Sequence, residues 1–350
     1  MLWALVMAGG RGTRLWPLAD QKNSKPFLKL LPGRKTLLEE TLKRITPVVP
    51  ANRIFIIGNR EHLNQIRRLA PRVPRSQIIG EPVSRNTAPT IALAAALISK
   101  RDSEASLLVL PADHWIEPAR KFHEAVRRAF KLSSKTHGFT IFGARPSFPS
   151  SSYGYLWRGR KVGDRCYQLK RFVEKPNESR ARTLLRAGCL WHAGIFLAPV
   201  RTILDSFERY ANNIIIRIAK LNVKNGKITP EKVFRMIPDI SMDYAVLEKL
   251  SRAYVLDSGF RWCDIGIWKS FESLWLQDRF KNAVLGSCLP FGSSGNIVYS
   301  KEKPTCLFGV DNLVVVDTPR ALLIMKKEST EAIRDVANLL SKKNSVRKSS

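Results

Sequence analysis

The sequence is poor in cysteine, with five in 350 residues: Cys166, Cys189, Cys263, Cys288 and Cys306. None of them stands in a Cys-x-x-Cys pair, and their spacing matches neither a zinc-ligand pattern nor a disulfide framework. We therefore expect five free, buried thiols, and we expect neither a structural zinc site nor a disulfide-stabilised fold.

Long hydrophobic runs are also missing. No stretch approaches the roughly 18 apolar residues that a membrane-spanning helix needs. The first apolar run, from Leu2 to Ala8, is short and has no basic residue before it, which is unlike a signal peptide. We therefore expect a cytoplasmic protein without a membrane partner.

Acidic residues are scarce, because 29 Asp and Glu oppose 59 Lys and Arg, for a net charge of +30. Such a charge favours polyanionic partners. The basic residues, however, are spread over the whole chain, and the densest piece is the terminal SKKNSVRKSS. The sequence has no helix-turn-helix, zinc-finger or RNP-like pattern. We therefore expect no nucleic-acid partner, and a basic proteome or attraction of polyphosphate substrates explains the charge more simply.

The first two-thirds of the chain alternates short β-branched runs with amphipathic stretches. Predicted strands include LWALVM, RIFIIG, SQIIG, SLLVLP, FTIFG, QLKRFVEKP and AGIFLAP, and predicted helices include KTLLEETLKRI, PTIALAAALISK, RKFHEAVRRAFKLSSK and SRARTLLRAG. This alternation predicts an α/β fold with a mostly parallel sheet that is covered on both faces. Ligands of such folds bind beyond the carboxyl ends of the strands.

The pattern changes near residue 282. The runs NIVYS, CLFGV, NLVVVDTP and ALLIMKK follow one another at short spacing, and STEAIRDVANLLSKK then reads as a closing helix. We predict an α/β domain over residues 1–281 and a small β domain with a terminal helix and a basic tail over residues 282–350.

Three glycines follow the first predicted strand: Gly9, Gly10 and Gly12. A turn of this kind exposes backbone amides that can wrap a phosphate. It is neither a Walker P-loop, since the Gly-Lys-Ser/Thr ending is missing, nor a dinucleotide fingerprint, since Leu15 replaces the third glycine. Arg11, Arg14 and Lys25 add three cations, which suit a triphosphate better than a monophosphate.

Two aspartates are candidate ligands of a divalent cation. Asp113 follows the buried run LLVLP, and Asp264 lies between Trp262 and Trp268. Mg²⁺ prefers a few carboxylates together with phosphate oxygens, although an aspartate in either place could also cap a helix. Together with the basic glycine turn they suggest nucleotidyl transfer. The sequence lacks the Asp-x-Asp motif of ordinary glycosyltransferases.

Seven motifs in order carry a family resemblance: MAGGRGTRLWPLA…KPFLKL, EPVSRNTAP, LPADH, FVEKP, WHAGIF, SMDYAVLE and WCDIGIW. The sequence resembles the mannose-1-phosphate guanylyltransferases, also called GDP-mannose pyrophosphorylases, over nearly its whole length. The RNTAP element distinguishes that family from thymidylyl- and uridylyltransferases.

The resemblance implies a Rossmann-like nucleotidyltransferase domain followed by a small C-terminal left-handed β-helix-like domain, commonly in a homodimer. It implies the Mg²⁺-dependent reaction of GTP with α-D-mannose 1-phosphate to GDP-mannose and pyrophosphate, by in-line attack without a covalent enzyme intermediate. Bacterial relatives often continue into an isomerase domain, so we expect this shorter chain to have one activity.

The resemblance also implies roles for single residues. It assigns the GTP phosphates to Gly9, Gly10, Gly12, Thr13 and Arg14, and guanine and ribose to Glu81, Asn86, Thr87 and Ala88. It assigns the mannose to Gly154, Glu174 and His192, its phosphate to Lys175, and the metal to Asp113 and Asp264. Lys25 matches the catalytic lysine, acting with Arg14 and Asp113. Asn86 or Thr87 can also cap the helix that follows.

The chain departs from the family pattern at three places. Ser24-Lys25-Pro26-Phe27 replaces Pro-Lys-Gln-Phe, Ala19-Asp20 replaces Ser-Arg, and Trp191-His192-Ala193-Gly194 replaces Trp-Asn-Ser-Gly. The third departure concerns the sugar, so guanylyl transfer to another sugar 1-phosphate stays open. A non-catalytic regulatory homologue that binds GDP-mannose is a further alternative.

Overall fold

The computed structural model describes residues 1–10, 12–20, 23–33 and 35–329, together with Ile333 and Val336. The chain forms two compact units that interleave in sequence. The larger comprises Met1–Gly9, Thr41–Ala112 and Ile116–Trp262, and the smaller comprises Gly10–Glu40, Asp113–Trp115 and Cys263–Ser350. A domain boundary at residue 282 stays a prediction, but the segment after the first glycines belongs to the same compact unit as the C-terminal part.

The secondary structure is extensive in both units. The strands are β1 (Leu2–Ala8), β2 (Ile54–Asn59), β3 (Ile78–Glu81), β4 (Ser106–Pro111), β5 (Trp115–Glu117), β6 (Phe139–Ala144), β7 (Tyr155–Gly163), β8 (Cys166–Val173), β9 (Leu190–Pro199), β10 (Asn222–Lys224), β11 (Lys227–Thr229), β12 (Ala253–Asp257), β13 (Arg261–Cys263), β14 (Ala283–Phe291), β15 (Ile297–Phe308), β16 (Leu313–Asp317) and β17 (Leu322–Lys326). The helices are α1 (Leu37–Ile45), α2 (Leu63–Leu69), α3 (Thr87–Ser99), α4 (Ala119–Thr136), α5 (Glu178–Arg186), α6 (Val200–Ile218), α7 (Glu231–Arg235) and α8 (Met242–Ala245).

The larger unit is built on one sheet with the strand order β10-β11-β3-β2-β1-β4-β9-β6-β12-β8-β7. Strands β3, β2, β1 and β4 pair in parallel, whereas β9 enters antiparallel to both β4 and β6. The α/β class predicted from the alternating pattern is confirmed, with parallel strands at the centre of a mixed sheet.

The central strands are buried on both faces, which explains why they read as continuous apolar runs. In β1, Trp3 and Leu5 belong to one apolar cluster with residues of α3 and α6, and the alternate residues Ala4 and Val6 are fully buried as well. Strands β1 and β4 pair in parallel, with Met7 opposite Pro111, so their carboxyl ends lie side by side. The glycine turn and Asp113 follow these two adjacent strand ends.

Some elements of the larger unit were missed from the sequence. The 19-residue helix α6 contains the run Ile214–Ile216, which resembles a strand, and its backbone leaves helical geometry at Ala211, where φ is −150°. Strand β7 was missed because its second half, RGRKVG, is largely exposed and reads as a loop. No helix in the described part of the chain, α6 included, is long and apolar enough to cross a membrane.

The C-terminal strands of the smaller unit form a sheet with the order β14-β15-β16-β17. The first three pair in parallel, and β17 returns antiparallel. Asn282 and Asn296 stack at equivalent corners, where Asn296 Nδ2 donates to Asn282 Oδ1 at 2.9 Å. This stacking of successive turns is β-helix-like, as predicted. The predicted terminal helix and basic tail lie outside the described residues, except for Ile333 and Val336.

The prediction of free, buried cysteines is confirmed only in part. All five are free thiols. Cys166 and Cys189 are buried and Cys263 and Cys288 are half-buried, whereas Cys306 is exposed. The prediction of burial was wrong for Cys306 because its strand, β15, alternates buried and exposed side chains over this stretch.

The core of the smaller unit joins the glycine-turn segment to the β-helix-like sheet. Leu15 and Leu30 pack in one cluster with Trp268, Trp275 and residues of β14, β15 and β16. Two indole N–H groups bind the same segment, since Trp268 Nε1 donates to the carbonyl of Trp16 at 3.1 Å and Trp275 Nε1 to that of Leu30 at 2.7 Å. The loop is therefore held at both ends by tryptophans from the distant C-terminal part of the sequence.

We predict that Trp275→Phe destabilises the protein by about 2 kcal/mol, because the buried carbonyl of Leu30 loses its donor. Urea unfolding monitored by circular dichroism measures this change. The matched control is Leu276→Ala, since the side chain of Leu276 is 84% exposed and such surface changes stay within about 0.5 kcal/mol. Equal stability of Trp275→Phe and the wild type would mean that the indole hydrogen bond does not hold the loop.

Candidate active site

A polar pocket of about 200 Å³ lies in the smaller unit. Its lining residues are Gly12, Thr13, Arg14, Lys25, Asp113, Asp264 and Gly266, and we call this set the phosphate pocket. The pocket thus brings together six predicted site residues, Gly12 and five others, from three separate stretches of sequence. Gly10 borders the set, since a Cβ built on it would lie 3.4 Å from Asp113 Oδ2.

Glycine at position 12 is required by the backbone and by its neighbour. Its φ is +66°, in the left-handed region, and a Cβ would lie 2.5 Å from Lys25 Cβ. A side chain here would push Lys25 away from the turn. Arg11, which the sequence placed beside the same turn, lies outside the described residues.

Lys25 is the central cation of the phosphate pocket and is only 6% exposed. Its Nζ lies 2.9 Å from Asp113 Oδ2 and also donates to the backbone carbonyl of Asp264. Burial alone would raise the pKa of Asp113, but the charges of Lys25 and His114 and the hydrogen bond from Lys25 outweigh it and hold that pKa below its usual value. Asp113 is therefore ionised at neutral pH.

The second aspartate of the pocket, Asp264, is oriented by the turn in which it lies. The backbone N–H of Gly266 donates to Asp264 Oδ1 at 3.0 Å, and a Cβ on Gly266 would lie 2.6 Å from Oδ2. Among the described residues no group of three or more His, Cys, Asp or Glu side chains could hold a metal ion. The two carboxylates of one pocket nevertheless fit Mg²⁺, which takes one or two protein carboxylates and completes its shell with water and phosphate oxygens.

The predicted nucleoside residues form a compact group in the larger unit, which we call the base loop (residues 81–90). Asn86 adopts φ +64° and caps α3, because its side chain accepts from the N–H of Thr87 at 2.9 Å. The predicted helix cap is therefore confirmed, with the helix starting two residues earlier than Pro89. Ala88 is fully buried in the first turn of α3.

Glu81 is a buried carboxyl at the end of β3, only 5% exposed. The hydroxyl of Thr90 donates to Glu81 Oε1 at 2.5 Å and also lies 3.2 Å from the carbonyl of Asn86. Burial raises the pKa of Glu81 to about 7, and the hydrogen bond from Thr90 opposes that rise only in part. A buried carboxyl with this pKa is typical of a functional site.

The predicted sugar residues also meet in the larger unit, and with Asp243 we call them the sugar cluster. A Cβ on Gly154 would lie 2.5 Å from Glu174 Oε2, so this glycine leaves room for the carboxylate. Lys175 Nζ pairs with Glu174 Oε1. The pKa of Glu174 is raised by burial and by the charge of Asp243, against the opposing effect of Lys175.

His192 is held inside the sugar cluster. Its backbone N–H donates to the carbonyl of Gly154 at 2.7 Å, and its Nε2 lies 3.2 Å from Asp243 Oδ1. The ring packs edge-on against Phe172, with the ring centroids 5.3 Å apart. The ring is therefore held between a carboxylate and an aromatic side chain.

Comparison of the sequence with known families gives the context of these three groups. The model of the family described as nucleotidyl transferase matches residues 3–279, and the MannoseP isomerase/GMP-like beta-helix domain matches residues 289–340. The chain belongs to the nucleotidyl transferase family.

Two curated relatives of this chain share one name. Mannose-1-phosphate guanylyltransferases of Escherichia coli and Klebsiella pneumoniae are 35% and 34% identical to this chain, each over 97% of it and 74% of the relative. A crystal structure described as mannose-1-phosphate geranyltransferase from Thermus thermophilus superposes with a TM-score of 0.89 at 32% identity, over 97% of this chain and 99% of that one. The resemblance seen in the motifs is thereby confirmed.

Three residues of this nucleotidyl transferase were missed as site residues. Gly266 and Asp243 both stand inside quoted motifs, WCDIGIW and SMDYAVLE, so their position was visible but their contacts were not. Thr90 lies one helical turn after Asn86. A polar side chain at that position can reach the preceding loop, and this could have indicated the contact. Asp243 stands 51 residues after His192, so only the folded chain reveals the pair.

We predict that Glu81 makes the stability of the protein fall as pH rises. Its folded pKa of about 7 exceeds the ordinary 4.5, so the stabilisation is fully present below pH 4.5 and is lost as pH rises from there through 7. Between pH 5 and 8 the wild type should lose about 2–3 kcal/mol relative to Glu81→Gln. Urea unfolding at both pH values measures this, with the exposed Glu104→Gln as control. A pH-independent difference between Glu81→Gln and the wild type would contradict the assignment.

Proposed function

We propose that this chain is a mannose-1-phosphate guanylyltransferase, which converts GTP and α-D-mannose 1-phosphate to GDP-mannose and pyrophosphate. The observation that carries the proposal is the phosphate pocket, where a glycine turn, a buried lysine and two aspartates converge. Because its substrates are phosphorylated metabolites, we place its action in the cytoplasm. A homodimer follows from the family resemblance alone.

Phosphate binding is supported by the composition of the pocket. The backbone of the turn at Gly12 and Thr13 can approach phosphate oxygens closely, and Arg14 supplies a guanidinium on the same wall. Lys25 is held rigidly by Asp113 and by the carbonyl of Asp264, so its charge needs no reorganisation when the reaction starts. Fixed charges of this kind stabilise the negative charge that develops on the α-phosphate and the departing pyrophosphate.

Mg²⁺ is the proposed cofactor, with Asp113 and Asp264 as its protein ligands. When bound, the ion would neutralise phosphate charge. The ion pair of Lys25 with Asp113 keeps that carboxylate deprotonated, which is the state a metal ligand needs. Asp264 is oriented by the N–H of Gly266.

Guanine recognition is proposed for the base loop. Guanine presents N–H donors on its Watson–Crick edge, and a carboxylate such as Glu81 accepts such donors. Burial of Glu81 keeps competing water away, so an unmatched base would leave a buried polar group unpaired. With its pKa near 7, Glu81 would bind the base best once deprotonated.

The sugar cluster is the proposed site for the sugar phosphate. Lys175, whose side chain is half exposed, can bind the phosphate, and Glu174 and His192 can bind hydroxyl groups. The phosphate oxygen of the sugar then attacks the α-phosphorus in line, so positioning supplies much of the rate enhancement.

A second candidate function is guanylyl transfer to another sugar 1-phosphate. The observation in its favour is the His192–Asp243 pair, which replaces a short neutral amide by an imidazole beside a carboxylate. Pyrophosphate release from GTP with mannose, glucose and fucose 1-phosphates tests both candidates. Turnover with mannose 1-phosphate supports the first, preference for another sugar supports the second, and no turnover with any sugar supports a non-catalytic regulatory homologue.

We predict that Lys25→Ala lowers kcat by roughly 10²–10³, as for the loss of one fixed electrostatic stabiliser. The KM for GTP should change much less, because the effect is confined to the transition state. The matched control is Lys29→Ala, an exposed lysine of the same segment. A rise in KM alone would make Lys25 a uniform binder of phosphate.

We predict that chelation of divalent cations abolishes turnover and that Asp113→Ala and Asp264→Ala each lose most activity. A readout independent of turnover is Mn²⁺ binding, followed by electron paramagnetic resonance with GTP present, and both variants should weaken it. The control is Asp278→Ala, an aspartate outside the pocket that caps a turn near Asn282. Full activity of Asp264→Ala would refute its role as a ligand.

A further inference from the structure

A segment of residues 240–248, which we call the linking segment, contacts the base loop at two points. The backbone N–H of Met242 donates to Thr87 Oγ1 at 2.8 Å. The N–H of Ala88 donates to the carbonyl of Ile240 at 3.2 Å. These bonds fix the linking segment against the first turn of α3.

The same segment contacts the sugar cluster through its next residues. Asp243, directly after Met242, places Oδ1 3.2 Å from His192 Nε2. Five residues later, Glu248 Oε1 accepts from the backbone N–H of Glu174 at 2.9 Å. One short stretch of chain therefore touches both groups of residues.

The linking segment is a stiff element. Met242, Ala245, Val246 and Leu247 are at most 2% exposed and belong to the apolar cluster that includes α3 and α6. Ser241 Oγ accepts from the N–H of Tyr244 and caps α8. Met242 and Asp243 are consecutive residues of this packed element, so a displacement of one is passed on to the other.

Asp243 also determines which ring nitrogen of His192 can accept a hydrogen bond. A carboxylate only accepts, so the facing Nε2 carries the proton and the neutral ring has its acceptor at Nδ1. That Nδ1 is buried and has no hydrogen-bond partner in the described part of the chain. A buried polar atom of this kind needs an explanation, and a turn of the ring that brings Nδ1 to a ligand hydroxyl supplies one.

We propose that the linking segment couples recognition of the nucleotide to recognition of the sugar, with Asp243 as the positioning residue that orients His192. The inference deepens the proposed function and rests on it. A nucleotide that binds at Thr87 shifts Met242, and with it the carboxylate that turns Nδ1 of His192 toward a sugar hydroxyl. By linkage, the sugar phosphate tightens nucleotide binding by the same factor.

The first test is a set of variants at Asp243. Asp243→Ala should raise the KM for mannose 1-phosphate roughly tenfold, as for a lost hydrogen bond to a charged group. Its Kd for GTP in the absence of the sugar phosphate should stay within about threefold of the wild type, because the coupling acts only when both ligands are bound. Asp243→Asn keeps an acceptor for Nε2–H and should recover most of the loss. Asp239→Ala, an exposed aspartate just before the segment, is the control.

The second test measures the coupling itself by titration calorimetry. Mannose 1-phosphate is titrated into the protein with and without saturating guanosine 5′-(α,β-methylene)triphosphate, which cannot transfer its nucleotidyl group. The nucleotide should tighten sugar binding at least about fivefold in the wild type, the lower end of usual couplings. Thr87→Val, which loses the acceptor for Met242 N–H, should reduce this factor to near one, and Thr87→Ser should retain it.

The outcomes separate the inference from the proposed function. If the wild type turns over mannose 1-phosphate but Thr87→Val keeps the full coupling, the inference is wrong and the function stands. The same holds if Asp243→Ala leaves the sugar KM unchanged, or if it weakens GTP binding in the absence of the sugar phosphate as much as it raises the sugar KM. If the wild type turns over no sugar 1-phosphate, the proposed function itself fails.

Discussion

The ion pair between Lys25 and Asp113, with the carbonyl of Asp264 as the third partner, is the interaction on which the phosphate pocket depends. It joins three stretches of chain that are far apart in sequence: one supplies the ammonium, and the other two each supply one oxygen that accepts from it. A buried pair of this kind contributes little net stability, but removal of either partner leaves an uncompensated charge, which costs about 3–5 kcal/mol. The glycine at position 12 belongs to the same constraint, because a side chain there would displace Lys25.

Much of the fold was predictable from the sequence because its central strands are buried on both faces. Runs such as LWALVM and SLLVLP carry no polar alternation, so their ends, and with them the glycine turn and Asp113, were visible as candidate site positions. Elements whose pattern conflicts with their structure were missed: α6 contains a run of three isoleucines, and β7 continues into exposed basic residues. The pairing of strands, which sets β9 between β4 and β6, is a tertiary outcome that no local pattern contains.

The candidate site was predictable to a similar degree. The motifs pointed to candidate residues, but not to the groups that these residues contact. Contacts with Thr90, Asp243 and Gly266 depend on the tertiary structure. His192 illustrates the difference. The sequence reveals it only as a departure from an asparagine, and its meaning depends on the carboxylate of Asp243, which fixes the proton on one ring nitrogen. The effect of a substitution at a binding residue therefore also depends on the neighbouring residue that orients its side chain.

The two indole hydrogen bonds of Trp268 and Trp275 have a consequence for the order in which the protein forms. They join residues separated by 252 and 245 positions in the chain, and closing such long loops is slow compared with local folding. During synthesis the glycine-turn segment leaves the ribosome early, but its two anchors emerge only when most of the chain has been made. The glycine-turn segment, although it is translated long before its anchors, is therefore among the last parts to reach its final structure, and the phosphate pocket forms only late in folding.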